Sequence, residues 1–246
     1  MNRENLFDEF LKECEYKEQI CGSGNHISNI LLVGNEHYSE KPIKSDDDWK
    51  KYLMDNYNYC KTNKTWSNFN KSKTWLYYQK LIDETIPQRQ KPTMRGERNF
   101  EEDAFTTELN SEAKPSSNIN REGLKERIES RLELFKHSDF IKSFPVVVLA
   151  CGSYLMNCVE KGVTQINDTF AVEFDKELNK EGVPTGWHKS KEGKLWFTTH
   201  HSKDKQKLVI HTWQFSLRYT SAEDREWLIN DMASVIRNHL TKLGLI

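Results

Sequence analysis

The 246-residue chain lacks the features that mark membrane and secreted proteins. No apolar run approaches the ~20 residues that a membrane-spanning helix requires, so we expect no membrane segment. Residues 1–16 contain five acidic residues, a composition that we do not expect in a signal peptide. The five cysteines are scattered and form neither a CxxC pair nor a Cys/His cluster at zinc spacing. These absences predict a cytoplasmic protein with reduced thiols.

The chain also lacks an excess of either charge, because 36 Lys and Arg residues oppose 37 Asp and Glu residues. A near-neutral chain argues against a basic surface for tight, non-specific DNA binding, although it leaves room for a local basic groove. Its length fits one large domain or two small ones. We find no internal repeat and no domain boundary, and therefore predict one domain over 1–246, with an insertion at 163–199.

Three uninterrupted aliphatic runs, at 30–33, 144–150 and 208–210, are typical of parallel strands buried on both faces. A weaker strand is predicted at 104–109, and 196–198 is compatible with a further short strand. Amphipathic segments alternate with these strands and predict helices. The resulting order of strands and helices predicts a three-layer α/β/α sandwich with a short, mainly parallel four-stranded sheet. The helices are predicted at 6–20, 49–57, 75–86, 121–135, 155–159 and 221–239.

Polar side chains follow each predicted strand at its carboxyl end, at 34–38, 110, 152–154 and 211–216. Ligands of open α/β sheets bind beyond the carboxyl ends of the strands. We therefore predict one pocket at this edge, although a turn or a structural histidine would explain each residue taken alone. The residues predicted to share the pocket are Gly34, Glu36, Asn110, Gly152 and His211.

In order, the four segments resemble motifs of the uracil-DNA glycosylase superfamily. That family has G-Q-D-P-Y after its first strand, where this chain has G-N-E-H-Y at 34–38. Its L-L-L-N segment is similar to Leu109-Asn110, and its V-V-F-L-L-W-G-S-Y-A segment is similar to V-V-V-L-A-C-G-S-Y-L at 146–155. Its H-P-S-P-L-S segment is similar to H-T-W-Q-F-S at 211–216. The resemblance extends from residue 27 to about residue 240, apart from 163–199.

This resemblance implies a glycosylase that removes uracil or another altered base from DNA by hydrolysing the N-glycosidic bond, without a metal or other cofactor. The base would leave the stack and be read along its polar edge, for which the amide of Asn110 is suited. Glu36 would position water and stabilise a cationic sugar, and His211 would donate to the leaving anion. Asn35 belongs to the same catalytic segment, and Tyr38 would exclude a 5-methyl group.

The remaining site residues implied by the resemblance bind the substrate. Trp66, or else Phe69, would stack on the base, although aromatic residues in a polar loop also serve to pin the loop to the core. Ser153 and Ser216 would hold backbone phosphates. Gly34 and Gly152 would let the backbone approach the ligand. The expected partner is DNA or a nucleotide-like ligand, with no membrane, and we expect a monomer.

Departures from the family pattern leave other functions open. Glu36 is one methylene longer than the family's Asp, and a displacement of ~1 Å can lower a rate by about 10²-fold. His37 replaces a proline, and the last segment loses two prolines and gains Trp213. The alternative function is a catalytically inactive module that binds a nucleotide or nucleic acid on the same fold. A third class is a small-molecule α/β enzyme, but Ser153 lacks the G-x-S-x-G context of an esterase.

Overall fold

A computed structural model of the chain describes residues 2–38, 45–61, 73–92, 97–114, 123–158, 161–215 and 220–246, with the backbone alone at 36–38 and 111–114. Helices and strands alternate through most of this part of the chain. The α-helices are α1 (Arg3–Tyr16), α2 (Asp46–Lys61), α3 (Lys73–Thr85), α4 (Leu124–His137), α5 (Asp139–Lys142), α6 (Gln165–Phe170) and α7 (Ala222–Lys242). Short 3₁₀ helices lie at Phe100–Glu102 and Gly152–Tyr154. The strands are β1 (Ser23–Gly24), β2 (Ile30–Tyr38), β3 (Phe105–Lys114), β4 (Val146–Leu149), β5 (Asn157–Cys158), β6 (Val163–Thr164), β7 (Glu173–Phe174), β8 (Trp187–Lys189), β9 (Trp196–His201) and β10 (Leu208–Thr212).

The central sheet contains eight strands in the order β1-β3-β2-β4-β10-β9-β7, with β8 also paired to β9. Its middle strands, β3, β2, β4 and β10, are parallel. The others are antiparallel to their neighbours. The prediction of a four-stranded sheet is therefore wrong in strand number, although the four predicted strands form the parallel centre of a mixed α/β fold.

Most of the additional strands come from 163–199, which was interpreted as an insertion. Strand β9 pairs along the whole of β10, from Leu208 opposite His201 to Thr212 opposite Phe197. It thereby pairs the backbone groups that β10 would otherwise expose at a sheet edge. A predicted helix at 155–159 is wrong in its described part, because Asn157 and Cys158 form β5 and pair with β6.

Helices cover both faces of the sheet. Leu31 and Val33 of β2 pack in one buried cluster with residues of α1, α2, α4 and α6. Ile30 and Leu32 point to the other face and pack with residues of α3 and α7. Because successive side chains of a strand alternate between faces, a strand covered on both sides must be apolar at every position. This requirement explains the unbroken aliphatic run at 30–33.

Two helices begin at serine caps. Ser45 Oγ accepts a hydrogen bond of 3.2 Å from the backbone N–H of Asp48 at the start of α2. Ser221 Oγ accepts one of 3.0 Å from the N–H of Asp224 at the start of α7. Each satisfies a backbone donor that the first helical turn cannot pair internally. Across the described residues, we find no helix with both the length and the apolar character of a membrane span.

Candidate functional site

The carboxyl ends of the four parallel strands lie at one edge of the sheet. The strand register places Glu36 of β2 beside Asn110 of β3. Leu149, the last residue of β4, pairs with Val33 on one side and with His211 on the other. The backbone positions predicted to share a site are therefore brought to the same edge from four separate segments.

The two glycines of the site make room for neighbouring side chains. A Cβ at Gly34 would lie 2.2 Å from Oε2 of Glu108, so the carboxylate of β3 fills the space that glycine leaves. Gly152 has a φ of +53°, which strongly favours glycine, and a Cβ there would lie 3.2 Å from Cε3 of Trp213. Another group does lie close to the backbone at both glycines, but in each case it is a side chain of the protein itself: Glu108 at Gly34 and Trp213 at Gly152.

Glu108 is a carboxylate at the sheet edge that sequence reasoning missed. Its side chain fills the space beside Gly34. Burial raises the pKa of the Cys151 thiol, and the charge of Glu108 raises it further in the same direction. It acts in the same direction on the pKa of the Tyr78 hydroxyl, again second to burial. The available signal was an acidic residue inside a predicted strand, two positions before Asn110.

The two asparagines of the predicted site are buried. Asn110 accepts a hydrogen bond of 3.1 Å at Oδ1 from Nε of Arg127 in α4, which fixes the orientation of its amide. Asn35 is 8% exposed, and no described donor reaches its Oδ1. Buried amide oxygens are normally hydrogen-bonded, so Asn35 offers an acceptor in the second half of β2.

His211 is held by the turn that follows β4. Its Nε2 lies 3.0 Å from the carbonyl oxygen of Gly152 and must donate, because a carbonyl oxygen only accepts. Burial lowers the imidazole pKa to about 4, although the bond to Gly152 acts in the opposite direction. The ring is therefore neutral at pH 7, and its one N–H is directed at Gly152. Its Nδ1 is then an acceptor, whereas the predicted role requires a donor.

A cavity of about 1700 Å³ lies beside His211, on the face of β9 that carries Trp196, Thr198 and His200. The 3₁₀ turn at Gly152–Tyr154, β5, α6 and β7 supply other parts of its wall. Of the predicted site residues whose side chains are described, Ser153 and His211 line the cavity, and so does Gly152. Gly34, Asn35 and Asn110 are outside its lining, at the same sheet edge.

Five side chains named in the prediction stay untested. Trp66, Phe69 and Ser216 lie outside the described residues. Glu36 and Tyr38 are described as backbone in β2, without their side chains. Their proposed roles in water activation, stacking, methyl exclusion and phosphate contact therefore stay predictions.

Three tryptophans at the cavity form an aromatic cluster that the sequence did not predict. Trp187 and Trp196 stack with ring centroids 5.7 Å apart and planes at 8°. Trp213 lies 6.0 Å from Trp196 at 56° and is 40% exposed. Three of the chain's seven tryptophans thus fall within 187–213. That concentration was the available signal, in a region interpreted largely as an irregular insertion.

The described residues contain no group of three or more His, Cys, Asp or Glu side chains arranged to hold a metal ion. Comparison with models of known protein families found no match, and comparison with curated proteins found no significant match. The chemistry of the site must therefore be argued from its own residues.

Proposed function

We propose that this protein binds an altered base, such as uracil, at the carboxyl edge of its parallel strands and hydrolyses the N-glycosidic bond that joins the base to DNA. The fold proposed is the three-layer α/β/α sandwich of the uracil-DNA glycosylase superfamily. The observation that carries the proposal is the parallel order β3-β2-β4-β10, which gathers the four motif-like segments at one edge.

The proposed division of labour follows from the residue types at that edge. Glu36, whose backbone is paired with Asn110, would position water against the sugar. Asn110 would read the polar edge of a base taken out of the stack, with its amide oriented by Arg127. His211 would stabilise the departing base only after its N–H exchanged the Gly152 carbonyl for an oxygen of the base.

The second candidate function is binding of a nucleotide or nucleic acid without turnover. The geometry of His211 favours it, because a neutral imidazole has one N–H and that group is already engaged by Gly152. A site that orients a base needs no donor for a leaving anion. The two functions therefore differ in the chemical step and share the recognition step.

The experiment is single-turnover cleavage of uracil-containing single-stranded and duplex oligonucleotides, followed by strand scission at abasic sites, with binding measured in parallel. Glu36→Gln should leave binding nearly intact and slow cleavage roughly 10²–10⁴-fold, as expected for loss of a general base. Asn110→Ala should weaken discrimination between bases. The matched control is Glu177→Gln, because Glu177 is an exposed carboxylate outside the site.

Cleavage that survives Glu36→Gln, Asn110→Ala and His211→Ala would show that the site lies elsewhere. Wild-type binding of the uracil-containing strand without cleavage would select the second function. Absence of both binding and cleavage would contradict both functions for this substrate.

A further inference from the structure

The guanidinium of Arg131 carries a positive charge into the core without an acidic partner. Arg131 lies in α4 and is fully buried. It donates to the side-chain oxygens of Gln19 and Thr107 at 3.1 and 2.6 Å. It also donates to the carbonyl oxygens of Glu108 and Cys21 at 3.1 and 3.5 Å. All four acceptors are neutral, and arginine stays protonated in proteins. Because a buried charge that nothing neutralises is strongly destabilising, we expect an anion beside it.

Cys14 is the one contact of this guanidinium, within the described residues, that can become an anion. Its Sγ lies 3.9 Å from Nη1 of Arg131, and its side chain is fully buried in the last turn of α1. Burial favours the neutral thiol. A hydrogen bond from Cys21 and the charge of Arg131 nevertheless hold the pKa of Cys14 below the ordinary 9.0, against an opposing effect of Glu13. A thiolate at Cys14 therefore supplies the missing negative charge.

A second thiol lies next to Cys14 and stays protonated. The Cys21 thiol is fully buried, within hydrogen-bonding range of the thiols of Cys14 and Cys60. Burial raises the pKa of Cys21 well above 9.0, and both neighbouring thiols raise it further. Cys60 is engaged elsewhere, since its Sγ lies 2.6 Å from the carbonyl oxygen of Gly22. Cys14 and Cys21 thus place an ionised and a protonated sulfur side by side, as thiol–disulfide chemistry requires.

The end of α1 gives a route by which a small reagent reaches Cys14. Residues 15–18 follow it directly and are exposed, with Tyr16 at 88%. Glu18 has a φ of +52°, a left-handed conformation that disfavours a residue with a Cβ. The Tyr57 hydroxyl holds this turn through the carbonyl oxygens of Cys14 and Gln19, at 3.0 and 2.8 Å. Helix ends open locally, so the thiol becomes accessible without unfolding of the sheet.

We propose that Cys14 and Cys21 form a redox-active pair, in which Arg131 holds Cys14 as the thiolate and a hydroperoxide converts the pair to a disulfide. The thiolate attacks the terminal peroxide oxygen, so an S–O bond forms, the O–O bond breaks and an alkoxide or hydroxide leaves. The Cys21 thiol then attacks the sulfenic sulfur, and the hydroxyl leaves with the thiol proton as water. Both sulfurs are oxidised and the peroxide is reduced. This proposal does not rest on the glycosylase function.

The first test counts S–H groups in the folded protein at pH 7 by their Raman stretching band. The chain has five cysteines, and Cys14 should contribute no S–H. Cys14→Ser should therefore leave the band area unchanged. Cys151→Ser is the matched control, because Cys151 is equally buried, and burial and the charge of Glu108 raise its pKa. It should remove one of the four remaining S–H groups.

The second test treats the folded protein with hydrogen peroxide and maps the products by mass spectrometry. All chains carry Cys158→Ser, which removes the half-exposed thiol. The expected product is a disulfide between Cys14 and Cys21, with two hydrogens lost. In Cys21→Ser the reaction should stop at a sulfenic acid on Cys14, which dimedone traps. Because the thiolate is the nucleophile and neutral thiols are only slightly ionised at pH 7, Cys14 should react roughly 10-fold or more faster than Cys151.

Arg131→Met removes the cation and should restore the S–H band of Cys14 and slow its oxidation, with circular dichroism to check folding. If this variant does not fold, the comparison of Cys14→Ser with Cys151→Ser decides alone. Three results would overturn the proposal: an equal loss of S–H band in those two variants, no disulfide or one between other cysteines, or equal oxidation rates of Cys14 and Cys151.

Discussion

Acidification should destabilise the protein through two buried imidazoles, His200 and His211. The pKa of each lies at about 4, mainly because of burial, and for His200 the nearby His211 contributes to the lowering. The ordinary value for the unfolded chain is 6.5. Between these values the unfolded state binds more protons than the folded state, so the free energy of unfolding falls as pH falls through this window. Below about pH 4 both states are protonated and the loss levels off.

The size of the effect follows from the two pKa values. Between pH 7 and pH 5 each imidazole should remove about 2 kcal/mol from the free energy of unfolding, and the pair about 4 kcal/mol. That is a large share of the roughly 5–15 kcal/mol of a typical domain. Asp175 does not contribute in this window. Burial opposes ionisation of its carboxyl, but hydrogen bonds from His201 and Thr199 hold its pKa below 3.8.

Urea unfolding at pH 7, 6 and 5, followed by circular dichroism, measures this loss in wild type, His200→Gln, His211→Gln and the double variant. Glutamine keeps an amide that can replace Nε2 without titrating. Each single variant should lose about 2 kcal/mol less than wild type, and the double variant about 4 kcal/mol less. Burial also lowers the pKa of His188 and His239, so only the difference from wild type isolates the pair. Equal pH dependence in wild type and the double variant would refute the reasoning.

Three further substitutions test local features of the fold, each measured by urea unfolding at pH 7. Gly152→Ala should destabilise by about 1–2 kcal/mol, because the left-handed φ of +53° disfavours a Cβ; an unchanged stability would contradict that backbone geometry. Arg131→Met should lower stability by about 3 kcal/mol or more, since its guanidinium is fully buried and hydrogen-bonds to Gln19, Thr107 and the carbonyl of Glu108. The exposed Lys125→Met is its control. Ser221→Ala should cost about 1 kcal/mol by removing the cap of α7, and Ser221→Asp should retain it.

The parallel centre of the sheet was predictable because its signal is local. A strand covered on both faces must be aliphatic throughout, and 30–33 meets that condition in the sequence itself. Strand β9 carries a different pattern. Phe197 packs toward α7, whereas Trp196, Thr198 and His200 face the cavity. Because the cavity tolerates polar side chains, the strand has little hydrophobic signal, and the sequence predicts only its first half.

The convergence of the four motif-like segments on one edge was predictable, but their contacts were not. Strands β3 and β10 extend past their predicted ends and include Asn110 and His211. The carboxyl-terminal parts of parallel strands must still meet at one edge, whatever their side chains, so both residues could be placed there from strand order alone. The bond from His211 to Gly152 and the position of Glu108 beside Gly34 depend on the register of neighbouring strands. Register is a tertiary property that a single strand's sequence does not specify.

Strand β9, which the sequence predicts only in part, determines the protonation state of His211, which the sequence predicts as a site residue. Thr198 of β9 pairs directly with His211 of β10, and Trp196 places its ring 5.1 Å from the imidazole. This covering leaves His211 6% exposed, and burial is what lowers its pKa. At the outer edge of a four-stranded sheet the same imidazole would lie closer to water and would charge more readily. The antiparallel extension therefore builds the cavity and, by the same packing, keeps His211 neutral and bound to Gly152.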